Sequence, residues 1–120
     1  MKLYIGAKGS GQADLAYRET GVAPEVCTPE ECFVKKGIQD FHQVIRQVLT
    51  AERDAQSFAK ELAEKNPQAV IVSDEIGMGI VPMERFDRRW REETGRALCI
   101  LAQKADRVVR VTCGIGQVIK

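Results

Sequence analysis

The sequence predicts an α/β fold with three layers and a mainly parallel sheet, on three observations. Strand and helix patterns alternate from one end of the chain to the other. The β-branched run Val70-Ile71-Val72-Ser73 ends in the adjacent carboxylates Asp74 and Glu75, and the turn Gly77-Met78-Gly79-Ile80-Val81-Pro82 follows at once. A buried parallel strand delivers acidic side chains to the carboxyl edge of a sheet in this way, where open α/β folds bind ligands. Finally, a glycine-rich segment from Gly6 to Gly11 lies between the first strand pattern and the first helix pattern.

The elements follow in order. Lys2 to Ile5 reads as the first strand, and the glycine turn leads to a short helix that stops near Gly21. Val22 to Glu31 holds Pro24 and Pro29 and reads as loop, with Cys32-Phe33-Val34-Lys35 as the second strand. Ile38, Phe41, Val44, Ile45, Val48 and Leu49 recur at helical spacing. A second apolar stripe, Ala55, Phe58, Ala59, Leu62 and Ala63, predicts another helix, which Asn66-Pro67 ends. Ala69 to Ser73 is a strand. After Pro82 a long helix presents Phe86, Trp90, Ala97, Leu101 and Ala105, with Gly95 in its middle loosening it by ~1 kcal/mol against alanine. Arg107 to Thr112 is a further strand, and the Gly114-Ile115-Gly116 turn leads to a closing edge strand, Gln117 to Ile119.

The 120 residues suit a single domain over 1–120, large enough to bury roughly two thirds of its unfolded surface. Lys and Arg number 18 against 17 Asp and Glu, and the net charge of +1 gives no warrant for a nucleic-acid or membrane partner. No apolar run approaches the ~20 residues of a membrane span. Met1-Lys2-Leu3-Tyr4-Ile5 enters a strand pattern rather than a signal peptide, so the cytoplasm is the expected location. Cys27 and Cys32 are five apart, Cys99 falls in a helix and Cys113 at a strand end. Neither a zinc spacing nor a disulfide framework results, so free thiols and no protein-bound metal are expected, with a Cys27–Cys32 metal or redox pair as the alternative.

Gly6-Ala7-Lys8-Gly9-Ser10-Gly11-Gln12-Ala13 has the frame of a phosphate-binding loop, GxxxxGK[ST], between strand and helix, which makes the expected domain one of P-loop type. Glycines let backbone N–H groups turn inward, and the helix offers its positive end to an anion. Yet Gln12 stands where the phosphate lysine belongs, and Ala13 stands where a hydroxyl would ligate magnesium. A neutral amide cannot offset phosphate charge, and a methyl group cannot ligate a metal. Three readings stay open: a tight turn only, weak phosphate or nucleotide binding through backbone amides, or an active kinase in which Lys8 substitutes.

Asp74 and Glu75 follow an apolar strand, as carboxylates that hold magnesium or orient a nucleophile do in P-loop proteins. Adjacent strand residues point to opposite faces, so only one is expected to face the site. The other reading is that both cap the following turn. Arg85, Arg88, Arg89 and Arg96 share the polar side of the long helix, either as phosphate contacts or as a solvated face paired with Glu84, Asp87, Glu92 and Glu93. His42, the single histidine, sits on an amphipathic helix and reads as packing.

From Val70 through the GMGIVP turn, Arg85, Arg88, Gly95-Arg96, Leu101-Ala102, Ala105-Asp106, Val108 and Gly114-Ile115-Gly116 to Ile119-Lys120, the chain resembles the adenosylcobinamide kinase/guanylyltransferase family of cobalamin biosynthesis. A weaker block, Leu3 to Ala16, matches in the loop frame and Ser10-Gly11. The resemblance implies a P-loop kinase acting on adenosylcobinamide with ATP or GTP and Mg, followed by GMP transfer through a histidine. It favours Glu75 as the catalytic carboxylate, with Asp74, Arg85 and Arg88 as substrate or phosphate contacts. It implies a nucleotide and a corrinoid as partners and leaves homo-oligomerisation open. The segment that carries the family's histidine is compressed here to Val22–Glu31 and holds none, and Leu98-Cys99 replace its Asn-Gln pair. The expectation is a divergent relative without guanylyltransferase activity and with impaired or no kinase activity. The alternatives are an active adenosylcobinamide kinase with an altered loop, or a non-catalytic interaction subunit.

Overall fold

Four short apolar segments of this chain can hide their side chains only by lying side by side between helices, and they do. The computed structural model describes residues 1–76 and 84–120; the glycine–proline turn expected at 77–82 lies outside the described residues. In order along the chain come β1 (Lys2–Gly6), α1 (Gln12–Thr20), β2 (Glu25–Val26), a 3-10 turn (Glu31–Phe33), β3 (Gly37–Gln39), α2 (Phe41–Thr50), α3 (Ala55–Lys65), β4 (Val70–Asp74), α4 (Arg85–Lys104), β5 (Arg107–Thr112) and β6 (Ile115–Val118). The strands form one sheet in the order β2-β3-β4-β1-β5-β6. All neighbours are parallel except β5 and β6, which form an antiparallel hairpin at one edge.

Alternation along the strands builds the three layers. Leu3, Ile71 and Val108 pack on α2, α3 and α4, among them Val44, Ile45, Phe58, Leu62 and Leu101. Their strand neighbours Tyr4, Val70, Val72, Val109 and Val111 pack on the other side against Leu15 and Ala16 of α1. The α/β class and the parallel sheet are as the sequence predicts. No helix among the described residues is long and apolar enough to cross a membrane.

Three sequence expectations are corrected. Cys32-Phe33-Val34-Lys35 is not a strand: a 3-10 turn occupies its start, and the strand lies further on at Gly37–Gln39. The cause is local capping. Thr28 N–H donates to Glu31 Oε1 at 2.9 Å and Glu31 N–H to Thr28 Oγ1 at 3.3 Å, a reciprocal box that winds the segment instead of extending it. Phe33 then packs edge-on against Phe58 at 5.4 Å, and Asn66 Nδ2 donates to Cys32 O and Lys35 O, both at 2.8 Å. The presumed loop Val22–Glu31 also carries the two-residue edge strand β2. The helical stripe begins at Phe41 rather than Ile38, because Ile38 belongs to β3 and Asp40 adopts the left-handed region (φ 53°) between them.

α1 stops at Gly21, whose φ of 74° closes the helix by donating its N–H to Tyr17 O. Asp54 caps α3, accepting from Gln56 N and Ser57 N, and those backbone N–H groups hold its carboxyl below the usual range. All four cysteines are free thiols. Burial, reinforced by Cys27, pushes the Cys32 thiol up to about 12, and burial also raises Cys27. A thiolate-selective reagent at mildly alkaline pH should therefore modify the exposed Cys99 and Cys113 and spare Cys27 and Cys32 until denaturant is added. Four equally fast thiols would overturn the burial of this segment.

Gly95 leaves α4 unbroken, is exposed, and would bring a Cβ into open space. Gly95→Ala should raise stability by ~0.5–1 kcal/mol. Urea unfolding reads this directly; no gain would mean the helix is not rigid through this turn.

Candidate functional site at the carboxyl edge

The parallel register of β1 and β4 sets Gly6 opposite Asp74, so the glycine turn and the acidic pair leave the sheet at one edge. The peptide of Glu75 donates back to Gly6 O at 2.8 Å. A side chain at Gly6 would place its Cβ 2.5 Å from Val111 O on β5, so only glycine lets three backbones meet there. Beyond it the turn closes with Ser10 N–H donating to Ala7 O at 3.1 Å, while Gly9 and Gly11 take φ of 77° and 84°. Gly114 N–H donates to Ser10 O at 2.8 Å, so the β5–β6 turn braces the loop from the other side. α1 begins at Gln12 and points its first, unpaired peptide N–H groups toward this edge.

Gln12 is 5% exposed, and its Nε2 faces four oxygens: Asp74 Oδ1 at 3.0 Å, Gly6 O at 3.1 Å, Ala7 O at 3.2 Å and Ser73 O at 3.5 Å. An amide has two hydrogens and cannot satisfy four acceptors. That oxygen set suits an ammonium group, which brings three hydrogens and a charge. Gln12 thus ties the loop to β4 and to the Asp74 carboxylate.

Asp74 is held from a second direction. His42, buried in α2, accepts from Asp74 N–H through Nδ1 at 3.2 Å, and its Nε2 lies 3.5 Å from Asp74 Oδ2. Trp90 Nε1 on α4 donates to His42 O at 2.7 Å and fixes the start of α2. Asp40, at the carboxyl end of β3, joins them: ligating atoms of Asp40, His42 and Asp74 all lie within 4.8 Å of one another. Glu75 takes another direction, 3.3 Å from Arg110 of β5. Two adjoining clefts of about 380 and 420 Å³ open here, and both are lined by Lys8, His42, Gln43 and Asp74.

The sequence model of the cobinamide kinase / cobinamide phosphate guanyltransferase family matches residues 32–119. The chain belongs to that family. It is similar to the bifunctional adenosylcobalamin biosynthesis protein CobU of Escherichia coli (strain K12), 38% identical over 79 residues, which is 66% of this chain and 42% of the relative. The protein of the same name from Salmonella typhimurium is 47% identical over 53 residues, 44% of this chain and 29% of the relative. The CobP protein of Pseudomonas aeruginosa is 31% identical over 74 residues, 62% and 42% of the two chains. The chain spans less than half the length of the curated relatives it matches.

The family match begins at Cys32, beyond the glycine turn, so the turn's reading rests on its own geometry. Lys8, Gly9, Gly11, Gln12 and Ala13 line the first cleft together with Asp74, and Glu75 lines the second. Arg85 and Arg88 are exposed on the first turn of α4 and line neither cleft. Further along that helix Arg96 pairs with Glu92 and Glu93, as a solvated face would, while Asp87 reaches Arg46, whose guanidinium lies over Phe86 and Trp90. Asp40 was not among the expected site residues, and His42 was read as packing. Its burial agrees with that reading, but its ring edge faces Asp74.

Replacing Gln12 by Leu removes the donor and leaves Gly6 O and the Asp74 carboxylate without it, at a cost of ~1–3 kcal/mol. Gln12→Lys, which brings an ammonium to the same four oxygens, should keep stability within ~1 kcal/mol of the natural chain. Equal losses for both in urea unfolding would show that the oxygens do not converge on one position.

Proposed function

We propose that this chain is a nucleotide-binding relative of the cobinamide kinase / cobinamide phosphate guanyltransferase enzymes, working in cobalamin nucleotide-loop assembly without GMP transfer and with impaired or no kinase activity. The observation that carries the reading is the engagement of Gln12. Its Nε2 faces Asp74 and the carbonyls of Gly6 and Ala7, while the glycine turn and the first turn of α1 keep the form of an anion cradle. Phosphate would meet backbone N–H groups and Lys8, with no ammonium at position 12. A corrinoid is the second ligand this reading implies.

ATP or GTP would enter with Mg. Ala13 offers that ion nothing, and carboxylates at the ends of β3 and β4 are the hard oxygen donors near the turn. When bound, the ion would supply charge neutralisation on the phosphates. GMP transfer needs an accessible nucleophile. His42 is buried, accepts through Nδ1 from the Asp74 peptide, and has its other nitrogen 3.5 Å from the carboxylate.

A second reading, an active kinase, is favoured by one observation: Lys8 is exposed and lines both clefts, where an ammonium could meet a phosphate. A third, an interaction subunit or homo-oligomer, rests on the edge strand β6, which exposes Ile115 and Val118, with Ile119 beyond it. Turnover supports the second; stable association without nucleotide binding supports the third.

Calorimetric titration with ATP and GTP, with and without magnesium, should show affinity no better than high micromolar. The double change Gln12→Lys and Ala13→Ser should strengthen magnesium-dependent binding by at least tenfold, ~1.4 kcal/mol. Labelled GTP should leave no covalent GMP on the chain after denaturing electrophoresis. Tight magnesium-dependent GTP binding by the natural chain, or a GMP adduct lost in His42→Ala, would overturn the proposal.

A further inference from the structure

The two edges of the sheet are finished differently. β2, at one edge, is two residues long, follows Pro24 and contains Glu25, a short and charged end that resists strand addition. β6, at the other edge, has four residues, and the run Val111-Thr112-Cys113-Gly114-Ile115-Gly116-Gln117-Val118-Ile119 around it holds no charged residue and no proline. Every residue of β6 is exposed, Ile115 to 73% and Val118 to 51%, and Ile119 beyond it to 54%. Among the described residues no strand pairs with its outer side.

The ladder with β5 fixes which backbone groups are left over. Ile119 N–H donates to Val108 O at 2.9 Å and so faces β5. Peptide groups alternate along an antiparallel strand, hence Gln117 and Ile115 face β5 as well, while Gly116 and Val118 turn their N–H and C=O outward. Side chains alternate across the sheet in the same way. Gly116 and Val118 stand opposite Val111 and Val109 on the α1 face, where a Cβ on Gly116 would meet Leu15 Cδ2 at 2.7 Å. Ile115 and Gln117 stand opposite Thr112 and Arg110, so with Ile119 they share the other face.

We infer that β6 is a self-association surface: β6 of a second copy of this chain adds to it antiparallel, about a twofold axis at Gln117. The strand is its own complement in that register. Gly116 faces Val118 of the second copy, and each outward N–H meets an outward C=O. Ile115 faces Ile119 of the second copy, Gln117 faces its own equivalent, and the branched Val118 lies beside the space that Gly116 leaves. An axis at Gly116 would instead set Ile115 against Gln117 and leave Val118 beside the turn at Gly114. An axis between two residues would set an outward peptide against an inward one. The contact closes at two copies, because a twofold pairing uses the edge up. None of these residues lines either cleft, and the inference stands apart from the nucleotide reading.

The test is sedimentation equilibrium of the full chain without nucleotide, in reducing buffer so that the exposed Cys99 and Cys113 cannot bridge copies. One strand pair with three apolar side chains per copy lies at the low end of interface size, below ~1,200 Å² in total, so the dissociation constant should be on the order of 10⁻⁵–10⁻⁴ M. The mass should rise from 13.4 kDa toward twice that value across this range. Gln117→Lys and Gln117→Glu each set like charges opposite one another at the axis and should each weaken the dimer by at least ~5-fold. Position 117 is exposed, so both variants should keep the circular dichroism of the natural chain. An equal mixture of the two should associate at least as well as the natural chain, since opposite charges then meet. Val26→Lys, at the exposed β2 edge, should change the constant less than about twofold. Hydrogen exchange should slow at the Gly116 and Val118 amides as concentration rises, with the Gln117 amide unchanged.

A mass that stays at one copy up to about 1 mM overturns the inference. So does an assembly of three or more copies, which a twofold strand pair cannot build. Association untouched by Gln117→Lys, or left unrestored in the mixture of the two charged variants, shows that the copies do not meet at this axis. Association that leaves the Gly116 and Val118 amides exchanging as before places the contact on another surface. Because no nucleotide is present, failure here leaves the nucleotide titration to be judged by itself.

Discussion

Everything at the working edge depends on β1 lying between β4 and β5 with Gly6 opposite both Asp74 and Val111. Parallel strands share one carboxyl edge, and whatever follows each strand must leave the sheet there. The crowding is severe: a Cβ on Gly6 would meet a carbonyl of β5 at 2.5 Å, while the peptide of Glu75 bonds to Gly6 O from the β4 side. A residue with a side chain would push one neighbour away and open the register. The acidic pair and the glycine turn would then separate, and Gln12, which bridges them, would lose its partners. The buried alternation that secures this register, Leu3 with Tyr4 and Ile71 with Val72 on opposite faces, is therefore as much a part of the site as the polar groups.

The central elements were legible because their physics is local. β1, β4 and β5 are short, largely apolar runs bounded by turn signals, and α4 shows its stripe over twenty residues. β2 and β3 hold only two and three residues, too few for a period to show, and their pairing is settled by neighbours distant in sequence. Cys32-Phe33-Val34 looked like a strand because its apolar content needs burial. Docking of Phe33 on Phe58 provides that burial in another shape, and the Thr28-Pro29-Glu30-Glu31 capping box was the signal for it.

The site divides along the same line. The glycine turn, Asp74 and Glu75 are contiguous motifs and could be read directly. Asp40 and His42 join Asp74 only through the register of β3 beside β4, and no local pattern states that register. His42 met the criteria for a packing residue and satisfies them, since it is buried under Trp90; what the pattern could not give is the direction of its ring. The directions of Asp74 and Glu75 are likewise tertiary: Gln12 and His42 hold one, Arg110 the other.

The substitution at position 12 changes the balance of the whole edge. A lysine there would neutralise Asp74 and extend a charge toward phosphate, so anion and carboxylate could coexist. Gln12 faces the same oxygens without changing the sum of charges, and Asp14, Asp40 and Asp74 then outweigh Lys8 in the cleft. In the proposed reading, a phosphate reaches the backbone cradle at full strength only when a cation compensates those carboxylates. Binding of the two is then linked, and the linkage is reciprocal: whatever factor the cation gains from phosphate, phosphate gains from the cation. The lost lysine and the carboxylate pair are in that case one adjustment, in which a mobile divalent charge takes over part of the task of a fixed monovalent one. The difference is that a mobile charge is present only at sufficient concentration, so the affinity of the cradle follows the cation supply.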